Sequence, residues 1–558
     1  MRAGRRVNPL LMKGDRKVTE VNYSNLRLLV ADDFSNFRTT VNAMLSKLGV
    51  YRVDLASNGA EVIEKCERKT YDAILCDYDL GTGKNGQQVL EELRFRKLIA
   101  RKTLFILVSA DATKDVVMAA YDCEPDDYLM KPINARMQQQ RMARLLRQRH
   151  ALQGVYAALD GGDPHRAMAL LIDLSLNDNR HTRAAQKILG ELFIAEGELN
   201  KAEKLYTKAL EVRTVDWARL GLARVKQLKG ELETAGDWLE KIVQENPLYL
   251  PAYDMLASNW EQQGRSQQVQ ATVQCSVSIS PKSILRHKRL AQVAERNGDY
   301  VTALQALRST VRLGELSCHA CAADSFNFAR VASATLEQKL HPADPLMQEA
   351  VEVINSARSR FSLSREEATR ADLLAARVFA QAGRRESAKP LMEAAEASVR
   401  RDTEVSLDVN IERIQALQSI GEHEQAEALL HEMLQKYAYD QRALEKLDTL
   451  LAEPVSETNR ALIATVNREG IDLYNQARFD EAIACFEKVR CIFPRHVGVH
   501  LNIVQSLIGK LRAGQKDAQT LSNTEQALAS IESLVEPDHS QYARFQRLQE
   551  MAITSLAS

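Results

Sequence analysis

The sequence is poor in aromatic residues. Phe, Trp and Tyr make up 6% of its 558 residues, a level that points to many helices built on Ala and Leu. Its eight cysteines are scattered, which fits reduced thiols and not a disulfide framework. Neither charge sign is in excess, since 74 Lys and Arg stand against 74 Asp and Glu. That balance argues against a dedicated nucleic-acid binder, which usually carries a basic surplus. No apolar run approaches the roughly 18 residues needed to span a bilayer, so no membrane insertion is expected. The basic start (Arg2, Arg5, Arg6) is followed only by Pro9-Leu10-Leu11-Met12 before Lys13. That apolar core is too short for a signal peptide, and a cytoplasmic protein is expected. Walker, HExxH and GxSxG motifs are also missing. No catalytic output domain is therefore expected, and the chain is not expected to be an enzyme.

What is present divides into unlike parts. At about 150 residues per domain, the length corresponds to three or four domain equivalents, enough for a core without disulfide or metal staples. Residues 1–24 lack periodicity and read as a flexible leader. From residue 26 onward, short apolar runs alternate with helical patterns: Leu26–Ala31, Tyr51–Ala56, Tyr71–Cys76, Leu104–Val108 and Tyr128–Met130. Five short strands alternating with helices imply a parallel sheet covered on both faces. In such a sheet a site sits at the C-terminal ends of the strands.

That rule selects residues. The first strand ends at Asp32 and Asp33, the third at Asp77, the fourth at Ser109, and the fifth is followed by Lys131-Pro132. Three carboxylates at one edge repel one another unless a cation joins them. Oxygen-only ligands with open positions suit Mg²⁺, which keeps some waters and can take a phosphoryl oxygen. Lys131 and the Ser109 hydroxyl would bind the remaining phosphoryl oxygens, and Asp77 would be the nucleophile toward a phosphorylated donor.

Asp32-Asp33, Asp77, Ser109-Ala110, Tyr128 and Lys131-Pro132 together resemble the full signature of a response-regulator receiver domain, over residues 25–148. The resemblance implies a doubly wound, five-stranded α/β sheet and a phosphoacceptor role for Asp77, with a histidine kinase or phosphotransfer protein as donor. It implies Mg²⁺ held by Asp32, Asp33, Asp77 and the backbone carbonyl of Asp79. It also implies a switch pair, Ser109 and Tyr128, acting on the surface of the fourth helix, fifth strand and fifth helix, and a cis Lys131–Pro132 bond. Two departures stand out. The run Tyr78-Asp79-Leu80-Gly81-Thr82-Gly83-Lys84-Asn85-Gly86 is one residue longer than usual before its last glycine, and Asp79 adds a carboxylate beside the metal. Glu124-Pro125 replaces the usual Gly-Ala before Asp126-Asp127-Tyr128.

Beyond residue 150 strand-like runs disappear. Ala167, Ala202, Ala235, Val269 and Ala303 recur at steps of 35, 33, 34 and 34, and Ala388, Ala426 and Ala482 extend the series. Five residues before each anchor stands Gly162, Gly197, Gly230, Gly264, Gly298, Gly383 or Gly421, with Ala477 in the last unit. Pro247, Pro281 and Pro494 close three units. A period near 34, with small residues where paired helices touch, a glycine turn and a terminal proline, resembles the tetratricopeptide repeat. An all-α solenoid is expected, with Tyr206, Leu239 and Phe486 filling between units. The expected divisions are a receiver at 25–133, its last helix and a linker at 134–150, and a regular array of about five repeats at 151–315. An irregular helical pair follows at 316–365, further repeats at 366–500, and capping helices at 501–558.

Two clusters are discounted. Cys318-His319-Ala320-Cys321 has zinc-like spacing, but no second Cys/His pair follows and Asp324 is a weak ligand, so structural or buried thiols are expected. Arg136, Arg141, Arg144, Arg147, Arg149 and His150 read as a solvated face or a contact with acidic residues of the first repeat. The function expected is that of a response regulator of a phosphorelay, whose phosphorylation state controls protein binding by the repeat groove. The alternatives are a phosphate sink, a constitutive scaffold docking to a kinase, or a DNA-binding regulator acting through the Arg136–His150 helix.

Overall fold

The computed structural model describes residues 23–558, apart from 112, 114–116, 119–121, 134, 178–180, 402–403, 516–517, 533, 536, 538 and 558. The expected leader lies outside the described residues up to position 22. Its last residues join a 3₁₀ turn, Tyr23–Asn25. The chain divides into two compact units: residues up to Ser283 with Leu313–His319, and Ile284–Arg312 with Ala320–Ser558.

The first unit begins with five parallel strands, β1 (Arg27–Ala31), β2 (Arg52–Ala56), β3 (Ala73–Asp77), β4 (Leu104–Ser109) and β5 (Asp127–Met130), in the order β2-β1-β3-β4-β5. Side chains alternate across a strand, and the alternation sorts the core. Leu29, Ala31, Ile74, Cys76, Phe105 and Leu107 pack on one face with residues of α2 (Gly59–Arg68) and α3 (Gly86–Phe95). Leu28, Val30, Leu75, Ile106 and Val108 pack on the other with α1 (Ser35–Lys47) and the last helix of this region, Ala135–Ala151. Because both faces are covered, β3 and β4 are buried at every position, which is why they read as unbroken apolar runs. Each fully buried Leu, Ile or Phe contributes about 2 kcal/mol. Asn58 caps α2 by accepting from the Glu61 N–H, and Asn85 with Gln88 forms a capping box at the start of α3.

The strand order reverses between β1 and β3. This is the crevice where an open parallel sheet presents its ligand site. Gly86 opens α3 against the end of β3: a Cβ there would lie 2.2 Å from the Asp77 carbonyl oxygen. Only glycine lets the helix start that close to the strand.

The helix Ala135–Ala151 passes through Leu152 into Gln153–Asp160 with helical hydrogen bonds on both sides of the joint. Paired helices follow in the first unit: Pro164–Asn177, Thr182–Ala195 with Leu199–Val212, Asp216–Leu228 with Leu232–Glu245, and Leu250–Gln262 with Ser266–Ile279. The anchors Ala167, Ala202 and Ala235 are fully buried. The Tyr206 ring fills a slot that two glycines leave open, since a Cβ at Gly190 or Gly221 would lie within 2.4 Å of it.

The second unit is also helical. It holds the pairs Ile284–Arg296 with Tyr300–Leu313, Arg365–Gln381 with Arg385–Val399, Leu407–Ile420 with His423–Lys436, and Glu457–Asn475 with Phe479–Ile492. Ala303, Ala388, Ala426 and Ala482 are buried. The seven turn glycines across both units have φ from 69° to 96°, and Ala477 takes the same left-handed conformation at φ 59°. Where the period breaks, two longer helices, Ala322–Glu337 and Ala343–Arg360, pack as a pair. The second break holds Gln441–Leu447 and a 3₁₀ turn, Asp448–Leu450. The last helices, Ala518–Glu532 and Tyr542–Ala557, cover Val497–Arg512, which is buried at most positions.

Candidate functional site at the C-terminal edge of the sheet

The end of β1 delivers Asp32 and Asp33, and β3 delivers Asp77. Asp32 is fully buried, Asp77 is 4% exposed, and Asp33 faces solvent. Ligand oxygens of the three carboxylates lie within 4.8 Å of one another. Arg38 fixes the acidic turn by donating to the backbone carbonyls of Asp32 and Asp33. The Phe34 N–H donates to Asp32 Oδ1 at 2.9 Å.

Lys131, just beyond β5, reaches across this edge. Its Nζ lies 2.7 Å from Asp32 Oδ2 and 2.5 Å from Asp77 Oδ2, and 4.3 Å from the centre of the Phe37 ring. The Lys131–Pro132 bond is cis. Burial pushes the Asp77 carboxyl up to about 6, Lys131 offsets part of that rise, and Asp32 adds to it. Burial alone would lower the Lys131 ammonium, but its bonds to Asp32 and Asp77 raise it on balance. The cluster thus carries more negative charge than one lysine satisfies.

Ser109 closes β4 and Ala110 follows it at the surface. The Asp111 N–H donates to the Ser109 hydroxyl at 3.0 Å, and the Tyr128 hydroxyl donates to the Asp111 carbonyl at 3.0 Å. The expected switch pair therefore meets at Asp111, which the sequence did not single out. Asp79 is held by its own loop. Its carboxylate accepts the Gly81 N–H at 3.1 Å and lies outside the three-carboxylate cluster among the described residues. A loop with left-handed turns at Gly81 and Gly83 turns the side chain back on its own backbone.

The arginine-rich helix is solvated at Arg144, Arg147 and His150, one of the two expected alternatives. Arg141 lies 3.5 Å and Arg144 3.9 Å from Asp127, and Arg149 pairs with Asp126 and donates to the Tyr156 hydroxyl. Among the described residues, the carboxylates that Arg141, Arg144 and Arg149 meet stand at the start of β5. In the zinc-like sequence Cys321 is exposed. Asp324 caps the helix Ala322–Glu337 and pairs with Lys288 at 2.8 Å, so it is already engaged.

Residues of the repeat region also touch the receiver. Lys282 donates to the hydroxyl of Tyr78, the neighbour of Asp77, at 3.3 Å, and its Nζ is 5.4 Å from the ring centre. The Ser280 hydroxyl donates to Asp122 at 3.1 Å. Met118 packs with Leu250, Tyr253 and Ile279, and Phe95 meets His319 edge to face at 5.4 Å. Sequence gave no sign of the Lys282 contact, because 204 residues separate the partners.

The family described as response regulator receiver domain matches residues 28–143. The regulatory protein VanRB of Enterococcus faecalis is 31% identical over 128 residues, which cover 23% of this chain and 56% of that protein. The sensory/regulatory protein RpfC of Xanthomonas campestris pv. campestris is 27% identical over 228 residues, covering 38% of this chain and 31% of that one. The chain thus spans about half or less of these relatives. Among solved structures, the receiver domain of a Pseudomonas aeruginosa sensor histidine kinase, with a magnesium ion coordinated in its active-site cleft, is 29% identical. It covers 22% of this chain and 97% of that one, with a TM-score of 0.20. The acidic cluster at the strand ends, the parallel order of the sheet and the family match agree, and residues 28–143 are a response regulator receiver domain.

Proposed function

We propose that the protein is a phosphorelay response regulator in which Asp77 takes a phosphoryl group and the helical region carries the output as protein binding. The observation that carries this reading is Lys131 Nζ bonded to both Asp77 and Asp32 in a crevice at the strand ends. A carboxylate oxygen of Asp77 attacks the phosphorus of a phosphohistidine on a histidine kinase or phosphotransfer protein. The O–P bond forms, the P–N bond breaks, and the imidazole leaves with a proton. Lys131 is within reach of the oxygens that gain charge, and the Ser109 hydroxyl and Ala110 N–H would take the others.

The donor set fits Mg²⁺. Asp32, Asp33 and Asp77 supply oxygens only, their cluster is under-compensated, and hard divalent cations prefer such ligands. The Asp79 carbonyl is the fourth protein ligand in this reading. Mg²⁺ would supply charge neutralisation of the phosphoryl oxygens.

Transmission follows from the hydrogen bonds. Turning the Ser109 hydroxyl toward a phosphoryl group would remove its bond to the Asp111 N–H and so loosen the turn that the Tyr128 hydroxyl bonds. The segment carrying Met118 and Asp122 comes next in the chain, and it contacts Leu250, Tyr253, Ile279 and Ser280. Phosphorylation in this way biases a packed contact between receiver and repeats. The repeats are tetratricopeptide-like in this reading. Their support is the buried small residue in each second helix and the left-handed turn ahead of it. The test is mass measurement after treatment with acetyl phosphate and Mg²⁺. A single phosphoryl adduct that is absent from Asp77→Asn supports the reading, and an equal adduct on the variant refutes it.

A further inference from the structure

We propose that the cleft between the last receiver helix and the first paired helices of the repeat region is the docking site for an acidic segment of a partner protein. This inference rests on the reading that the repeats act by binding protein. The cleft has a volume of about 730 Å³. Arg144 and Arg147 line it from the receiver side, Arg183 and Lys187 from the helix Thr182–Ala195, and Trp217 and Tyr249 form its far wall. All four cations are exposed. Among the described residues, the carboxylate paired with Arg144 is Asp127, at 3.9 Å. Arg147, Arg183 and Lys187 have no carboxylate within 4.0 Å among the described residues.

The lining also contains one acid, Asp216. It is already engaged, accepting from Asn246 at 2.9 Å and lying 3.5 Å from Arg219. The lining therefore carries four cations against one acid, with Glu191 acting on Lys187 and, together with Glu124, on Tyr249 from just outside it. The aromatic wall is half-buried, and the Trp217 indole N–H has no acceptor. Carboxylates match the cations, and an apolar side chain between them matches the rings.

An acidic peptide fits this lining better than a nucleotide. No glycine lines the cleft, so no backbone comes close in the way that phosphate-binding loops require. Long side chains at a half-open cleft instead suit a flexible segment whose charges are spaced along a chain. Two of the four cations belong to the helix Ala135–Ala151, so the site exists only where that helix and the repeats stand together. Arg144 also shares Asp127 with Arg141, at the start of the strand that carries Tyr128.

The test uses the full chain. Randomised peptides displayed on phage are selected against it, and the best sequence is synthesised and titrated by fluorescence anisotropy. The enriched sequences are expected to carry several Asp or Glu around an apolar residue. Binding should weaken by about tenfold or more in R147E/K187E, whose positions are exposed and whose melting temperature should match the wild type. Trp217→Phe should retain binding better than Trp217→Ala. Enrichment of neutral or basic sequences, no enrichment, or equal binding by R147E/K187E would overturn the assignment. Displacement of the peptide by micromolar ATP or GTP would also overturn it, in favour of a nucleotide site. Acetyl phosphate labelling of Asp77 is measured on the same samples, so failure of the cleft is distinguished from failure of the phosphoacceptor reading.

Discussion

Asp77 should destabilise the protein in which it sits. Its carboxyl is buried beside Asp32, and burial pushes it from 3.8 up to about 6. Between those values the native state holds more protons than the unfolded chain. Stability therefore falls as pH rises through this window, and the full penalty is present above it. Two units correspond to about 3 kcal/mol at most. Asn cannot ionise and escapes that penalty. It still offers a carbonyl to Lys131, which also keeps Asp32. In metal-free buffer at pH 7.5, Asp77→Asn should therefore stabilise the receiver by about 1–3 kcal/mol. The gap should close near pH 4, where the wild-type carboxyl is protonated, and narrow with Mg²⁺, to which the proposed site offers its full set of carboxylates only in the wild type. Hydrogen exchange of the β3 and β4 amides measures this locally, because unfolding of a chain with more than one unit need not be two-state. An Asn variant no more protected than wild type at pH 7.5 in EDTA would refute the electrostatic account. So would an advantage that persists unchanged at pH 4.

Three further outcomes test the packing of the helices. Gly221→Ala places a methyl group 2.3 Å from the Tyr206 ring and should cost about 1–3 kcal/mol, read by denaturant titration, with Tyr206→Leu restoring part of the loss. Ala477→Gly should raise stability by about 1 kcal/mol, because Ala477 holds φ 59° at the turn where the other repeats use glycine; a lower melting temperature would contradict this. Asp448 is fully buried and accepts from Val455 N–H, the Ser456 backbone and hydroxyl, and Asn459. Asp448→Ala strands those donors and should cost about 3 kcal/mol, with the loss of exchange protection centred on the start of Glu457–Asn475.

Much of the fold was legible because its signals are local. Strands covered on both faces must be apolar throughout, so β1, β3 and β4 stand out, and the residues that end them are the site. The repeat was legible because its left-handed turn needs the same residue type each time, and Ala477 marked the exception. Contacts set by tertiary packing left no such trace. Asp111 joins Ser109 to Tyr128 through backbone atoms that carry no residue signature. Lys282 finds Tyr78 only because the repeats bring it back to the receiver. The arginine helix was legible as basic, but its partners Asp126 and Asp127 lie on a strand start that charge patterning along the helix does not reveal. Asp79 turned toward Gly81 for a local reason, a loop whose left-handed turns offer its side chain a backbone N–H.

The central claim is that the state of Asp77 controls the contact between receiver and repeats. Hydrogen exchange of the full chain, with and without beryllofluoride and Mg²⁺, tests it most directly. Slower exchange at the end of β3 would report that the phosphoryl mimic has bound. The account then predicts faster exchange in Leu250–Gln262 and Ser266–Ile279 and around Lys282, in the wild type and not in Asp77→Asn. Unchanged exchange in those helices, with the mimic bound at Asp77, would contradict it.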